Sequence, residues 1–388
     1  MKPSRLSVQN FRSLVGVTVK IPDLTVMIGP NGAGKTALLE VFQLLQRASQ
    51  QELASYLEGR GGILAVLSKE AVEREESRMT IALELDAESA RSREPLIYKV
   101  ELAAEQIGYA ITSERLTWHS KPWLPDAMKY IIADRGRIQY FDPDTQKLVE
   151  PNWNYVASEP ALAQVPKMYQ EPEQLRNLLA STAHYSFLDV GPRSVIRLPQ
   201  ALTPATRPGS NGENLYSALY NIRALHPALY DRIEALMSQG FPDFRHVEFP
   251  VVGAGQVTLA WYERNLPTPL YASQLSEGTL RFLWLVTILL SPSAPALTLM
   301  DEPEVSLHPE LLKLLAALLQ DASASRQIIV ATHSPDLIHW LEPKEVLVAE
   351  KAEGRTSLTW ADEMNIEDWL EEYTLSDLWR MGNLGGRP

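Results

Sequence analysis

The chain contains no cysteine. Disulfide scaffolds, thiolate zinc sites, iron–sulfur clusters and cysteine nucleophiles are therefore excluded. Basic charge is scarce too: 36 Lys and Arg stand against 48 Asp and Glu, a formal net charge of −12. Coating nucleic acid by bulk charge needs clustered Lys and Arg, so the balance argues against it, though not against a local basic groove. No long hydrophobic run is present. The longest, Phe282 to Leu290, follows Arg281 and meets Pro292 and Pro295, which is too short for a bilayer span. The start, MKPSRLSVQNFRS, lacks the apolar stretch of a signal peptide, and we expect a cytoplasmic protein with no membrane partner.

What is present reads as globular. Hydrophobic residues make up 45%, ordinary for a folded protein. A length of 388 residues exceeds what one core usually organises, so one large domain with insertions, or two domains, is expected.

Alternating apolar residues mark a strand at Leu6, Val8 and Phe11 and a second at 17–21. The run Leu24-Thr25-Val26-Met27-Ile28 suits a central strand covered on both faces. Beyond it, Leu38, Val41, Phe42 and Leu45 fall on one face of a helix starting at Lys35. Residues 49–78 are mostly polar and predict a mobile loop with one short helix. Strands are expected at 79–86, 96–103, 107–118 and 137–141, and helices at 172–185, 213–225 and 228–238. Strands return at 244–251 and 256–262. The last third alternates helix (279–290), strand (296–300), helix (308–322), strand (327–331), helix (335–341) and strand (345–350). That order implies a parallel sheet with crossover helices. Both ends of the chain are thus α/β, and the middle is an insertion.

Gly29-Pro30-Asn31-Gly32-Ala33-Gly34-Lys35-Thr36 fits GxxxxGK[ST]. The glycines let backbone N–H groups turn inward toward phosphate oxygens, and the helix through Ala37 adds its positive end. Lys35 is expected on the β- and γ-phosphates, and Thr36 on Mg²⁺. The alternative is a glycine-rich turn before an ordinary helix. Leu297 to Met300 is an apolar strand running into Asp301 and Glu302. Adjacent carboxylates at a buried strand end need a cation. Asp301 is assigned to the Mg²⁺ of a nucleotide and Glu302 to a general base for water. His333 ends the next strand, where ligands of open α/β sheets bind, and is assigned as a γ-phosphate sensor. Ser276, Glu277, Gly278 and Thr279 open another helix. Ser276 could simply cap it, or Ser276 and Gly278 could form a second anion site.

Together these motifs resemble ABC-type ATPases of the RecF, SMC and OLD group. The loop 29–36 resembles Walker A, Ser276 to Thr279 the LSGGQ signature, Asp301-Glu302 Walker B, Ser306-Leu307-His308 the D-loop, and His333 the switch histidine. NFRSL, NGENL, SEGTLRFLWL, DEPEVSLHPE, ATHSPDLI and the LGG tail are similar to bacterial ATPases of the AAA_15 and AAA_21 kind. The resemblance implies a P-loop NTPase head, a mixed sheet with flanking helices. Residues 1–78 and 263–388 would form its two parts and 79–262 a strand-rich and helical lobe, with no coiled-coil arm. It implies ATP as substrate with Mg²⁺, a homodimer with composite sites, a nuclease or toxin effector, and a role in DNA repair or antiphage defence. It also places Arg12 beside the nucleotide, against phosphate or base. Glu277 and Thr279 depart from LSGGQ, and the Glu277 carboxylate is expected to point away from phosphate or to weaken the grip. Gln200, after Val195-Ile196-Arg197, is a candidate for the Q-loop, with a surface glutamine as the alternative. Arg135, Arg137, Arg193, Arg197 and Arg207 are candidates for a DNA-contacting groove, with solvated surface charge as the alternative. Two rivals stand beside the ATPase switch: a nucleotide-sensing scaffold without turnover, and the ATPase subunit of a transporter.

Overall fold

Short apolar runs set the centre of the fold. Leu24–Ile28, Leu297–Asp301 and Gln327–Ala331 are buried strands of 5 residues each. In the computed structural model, which describes residues 1–74, 77–86, 95–118, 128–142, 144–166 and 170–386, they lie side by side in a six-stranded sheet. Its order is Ala183–Tyr185, Leu297–Asp301, Gln327–Ala331, Leu24–Ile28, Val346–Ala352, Arg355–Trp360. All neighbours are parallel except the last pair, an antiparallel hairpin. Crossover chain must cover both faces of such a sheet, which is why its strands are apolar throughout rather than alternating.

Each face feeds its own core. Leu297, Leu299, Ile329 and Leu347 point into one, shared with the helix Lys35–Ser49 and a second sheet. Val26, Met300, Ile328 and Val330 point into the other, under the helices Leu215–Leu225, Pro227–Gly240, Glu277–Leu289 and Pro309–Ser323. The helix Glu277–Leu289 is buried from Thr279 to Leu289. Its apolar run is therefore the mark of a core helix.

The second sheet has eight antiparallel strands. The hairpin Lys2–Phe11 and Leu14–Lys20 begins it, and the meander from Arg78–Asp86 to Lys147–Val149 continues it. Leu6 stands opposite Leu83, so the N-terminal hairpin and the meander share one sheet. Among the described residues the longest helices have 15 residues, and no coiled-coil arm is present. No helix among them is long and apolar enough to cross a membrane.

Some expectations are corrected. The helix expected over 172–185 stops at Ser181, because Ala183–Tyr185 is taken as an edge strand beside Thr298–Met300. The expected loop 49–78 holds three short helices, Leu53–Gly59, Ile63–Val66 and Lys69–Glu73, which bury Leu53, Leu57, Ile63 and Val66. The meander has two further strands, Lys129–Asp134 and Lys147–Val149, and the central sheet gains Arg355–Trp360 after a turn at Glu353 (φ 51°) and Gly354 (φ 82°).

Candidate nucleotide-binding site

The parallel strands end together, and their last residues assemble the site. The phosphate loop leaves Ile28 at one such end. Gly29 has φ 139°, and a Cβ there would lie 2.1 Å from the carbonyl oxygen of Ala349, so only glycine fits. Gly34 (φ 111°) is equally committed, with its added Cβ 2.3 Å from Thr356 Oγ1. That hydroxyl donates to the carbonyl of Ala33 (2.7 Å) and lies 2.8 Å from the hydroxyl of Ser13, which pins the loop to both the NFRS turn and the last hairpin. Asn31, Gly32 and Thr36 stay exposed on the rim, while Ala33, Lys35 and Ala37 are buried.

Lys35 turns back over its own loop, donating to the carbonyls of Gly29 (2.7 Å) and Pro30 (3.3 Å). Burial draws its ammonium down to about 8, against the pull of Glu302, Asp301 and Glu304, which hold it up. The Asp301 carboxyl is raised by burial and by Glu302, while Lys35 and a hydrogen bond with Thr36 oppose the rise. Two adjacent carboxylates beside a buried lysine, with Asp301 raised, are the donor set a divalent cation satisfies. Thr36 and Asp301, already bonded to one another, fit a Mg²⁺ carried by a nucleotide.

Glu302 sits in a left-handed conformation (φ 51°), fixed by its N–H to the carbonyl of Ala331 (2.8 Å). Its Oε1 lies 3.8 Å from His333 Nε2. Burial lowers the His333 imidazole, Lys35 lowers it further and Glu302 opposes. The ring is therefore neutral at neutral pH, able to accept a hydrogen bond. Lys35, Thr36, Asp301, Glu302 and His333 are thus brought to one sheet edge.

The signature turn is built differently. Ser276 Oγ accepts from the N–H of Thr279 (3.1 Å) and lies 2.7 Å from its hydroxyl. A Cβ on Gly278 would lie 2.8 Å from the carbonyl oxygen of Ser306, so the glycine lets the D-loop pack against the turn. Glu277 is exposed and lies 3.5 Å from Ser306 Oγ, turned toward that loop. Two arginines hold this region. Arg197 donates to the carbonyls of Val190 (2.6 Å), Ala272 (2.9 Å) and Leu275 (2.8 Å). Arg281, 2% exposed, donates to that of Leu188 (3.0 Å).

Other candidates fall elsewhere. Arg12 (φ 50°) pairs with Glu40 on the phosphate-loop helix, as does Arg60 at 2.6 Å. Gln200 is buried, bonded to the carbonyls of Val195 and Gly212 and to the N–H of Tyr216. It braces a loop and is no candidate for reaching the nucleotide. Arg197 is likewise withdrawn from a DNA-facing groove by its carbonyl partners, whereas Arg135, Arg137 and Arg193 are exposed. Sequence reasoning passed over Glu40, Thr356, Arg281 and Glu304. For Glu304 a signal existed, the third acid of DEPE; Thr356 carried none. The tail also reaches the site: Leu384 is buried, Gly385 packs on Val348, and a Cβ on Gly386 would lie 3.9 Å from Pro30.

Residues 24–339 match the family described as "AAA domain, putative AbiEii toxin, Type IV TA system". The chain belongs to this family. Among solved structures the chain is similar to the SMC head bound to the C-winged helix domain of ScpA, with TM-score 0.56 and 11% identity over 96% of this chain and 100% of that one. It is also similar to the SMC head with an extended coiled coil bound to the C-terminal domain of ScpA, derived from Pyrococcus furiosus. There the TM-score is 0.53 and the identity 11%, over 96% and 100%. At such identities the likeness establishes the fold, that of an ABC-type P-loop NTPase head. Comparison with curated proteins gave no match. This member of the AAA family is thus an ATP-binding NTPase with a fold similar to that of the SMC heads.

Proposed function

We propose that the protein hydrolyses ATP and acts in the cytoplasm as an ATP-gated homodimer. The observation that carries this reading is the convergence of Lys35, Thr36, Asp301, Glu302 and His333 at one end of a parallel sheet. Lys35 would leave its two loop carbonyls for the β- and γ-phosphates. Thr36 and Asp301 would hold Mg²⁺, which screens phosphate charge when bound. Glu302 would accept the proton of the attacking water, and neutral His333 would accept or orient on the γ-phosphate side. The main-chain amides of residues 29–34 and the start of the helix at Lys35 would line the phosphates.

The signature of a second copy, Ser276 and Gly278, would close the site from the other side. Neither half alone aligns water and phosphate, so turnover would depend on pairing. ATP would stabilise the closed pair, and loss of the γ-phosphate would release it. The family description, a putative AbiEii toxin of a type IV TA system, supports a toxin-linked role; the proposal extends it to a toxin or nuclease effector in antiphage defence or DNA repair, with DNA as a further candidate partner. One observation favours a second reading, a nucleotide sensor with little turnover: Glu277 places a carboxylate in the signature turn.

The test is light scattering with ATP. Glu302→Gln is expected to accumulate as a dimer that wild type forms only transiently. A Glu302→Gln variant that hydrolyses ATP at the wild-type rate removes the base assignment. Wild-type protein that binds ATP without releasing phosphate favours the sensor.

A further inference from the structure

Leaving the acidic strand, the chain folds back instead of starting a helix. Glu302 (φ 51°) and Ser306 (φ 62°) are both left-handed. The N–H of Val305 reaches the carbonyl of Glu302 (3.3 Å), and that of Leu307 the carbonyl of Glu304 (3.0 Å). This tight path turns the Glu304 side chain under the end of the neighbouring histidine strand.

There one carboxylate oxygen does two things. Glu304 Oε1 accepts the hydroxyl of Thr332 (2.6 Å) and the backbone N–H of His333 (2.9 Å). Thr332 Oγ1 then accepts the N–H of Ser334 (3.0 Å), and Ser334 Oγ caps the following helix through Leu337 N–H (3.3 Å). Thr332 is itself fully buried, its N–H on the carbonyl of Met27 (3.0 Å). The residue carrying the imidazole is therefore held from both sides. The second oxygen of Glu304, Oε2, is buried with no hydrogen-bond partner. Such an atom is costly, and packing alone does not require a carboxylate here. Bonds accepted by a carboxylate are shorter and stronger than those to a neutral group, which suits a part that must not move.

We propose that Glu304 is the positioning residue for His333, fixing the main chain from which the imidazole faces Glu302. It does not touch the nucleotide. Its work is to keep the ring where a γ-phosphate or water would be, so its loss should leave binding largely intact and slow turnover. The inference rests on the hydrolytic reading above, and one of its two readouts is independent of that reading.

The first readout is histidine-selective ¹⁵N NMR of the nucleotide-free protein, with the His333 signal assigned by His333→Gln. In Glu304→Ala that signal should shift or broaden. In Glu304→Gln, which retains Oε1, it should return close to its wild-type place. The second readout is steady-state ATP hydrolysis beside a binding titration. Glu304→Ala should lower kcat on the order of 10- to 100-fold with the Kd for ATP changed less than about threefold, and Glu304→Gln should recover most of the rate. An unmoved His333 signal in folded Glu304→Ala overturns the proposal. So does equal loss of kcat and affinity that Glu304→Gln fails to rescue, since that marks a structural role. If Glu304→Ala does not fold, Thr332→Val removes one of the same bonds; a shifted His333 signal then supports the proposal and an unmoved one overturns it. A wild-type protein that releases no phosphate defeats the hydrolytic reading alone, and the NMR comparison still decides the position of His333.

Discussion

The helix after the phosphate loop begins with Gly34 as its cap, no side chain on its free amides and no acid in its first turn. The helix after the signature begins with Ser276 bonded to Thr279 and with Glu277 in its first turn. Both are N-termini with positive dipole ends, yet only the first is left open for an anion. The second has already spent a donor on its own serine and carries a carboxylate in its first turn. A phosphate can enter the first turn simply by drawing Lys35 off two carbonyls, whereas at the second it must displace a cap and oppose a charge. The difference fits a standing grip at one turn and a conditional grip at the other, as the proposed gated pair of subunits would require.

The largest test removes the standing grip. Lys35→Ala should weaken ATP binding on the order of 100-fold or more, measured with a fluorescent ATP analogue, because the loop loses the one cation on its floor. An unchanged Kd would mean that the open amides alone suffice. Next, Glu302→Gln should lower kcat by about 10²- to 10³-fold with little change in Kd, as phosphate-release assays would show.

A third test asks what braces the open turn. Gln43 of its helix lies 2.7 Å from His184 Nδ1, on the edge strand beside the acidic strand. Burial, with Arg60 adding to it, lowers His184 from 6.5 to about 4. A folded-state value below the unfolded one means that this group's contribution to stability is present above 6.5 and is lost as pH falls toward 4. Thermal melts from pH 7 to pH 4 should show Tm falling across that window, and His184→Gln should flatten the fall. The smallest effect is expected on the conditional side. Glu277→Gln should tighten the ATP-dependent dimer about three- to tenfold in analytical ultracentrifugation, since a like charge is removed from the anion site. No change would show that Glu277, turned to Ser306, already lies out of the way.

The legible parts of this molecule are those in which local pattern and tertiary role agree. Leu24–Ile28 and Gln327–Ala331 are apolar throughout and are strands at the expected positions, because buried parallel strands need no alternation. Gly29, Gly34 and Lys35 were legible because a phosphate loop constrains backbone as well as side chain. Ala183–Tyr185 was not. Its AHY follows a helical pattern without a break, and only the free edge of Leu297–Asp301 makes it a strand. Thr356 and Arg281 were invisible for a related reason. Their partners, Ala33 and Leu188, are main-chain carbonyls far away in sequence, and no side-chain pattern announces a carbonyl. Gln200 failed in the opposite direction: a Q-loop candidate or a surface glutamine by sequence, it is buried with all its bonds internal.

The tail carries a practical consequence for anyone handling this protein. Because Leu384 is sunk in the core and the next two glycines run past Val348 to Pro30, a bulky label introduced at Gly385 or Gly386 would crowd the phosphate loop. Reporter labels are better placed at exposed Lys2, on the opening strand Lys2–Phe11, which belongs to the other sheet.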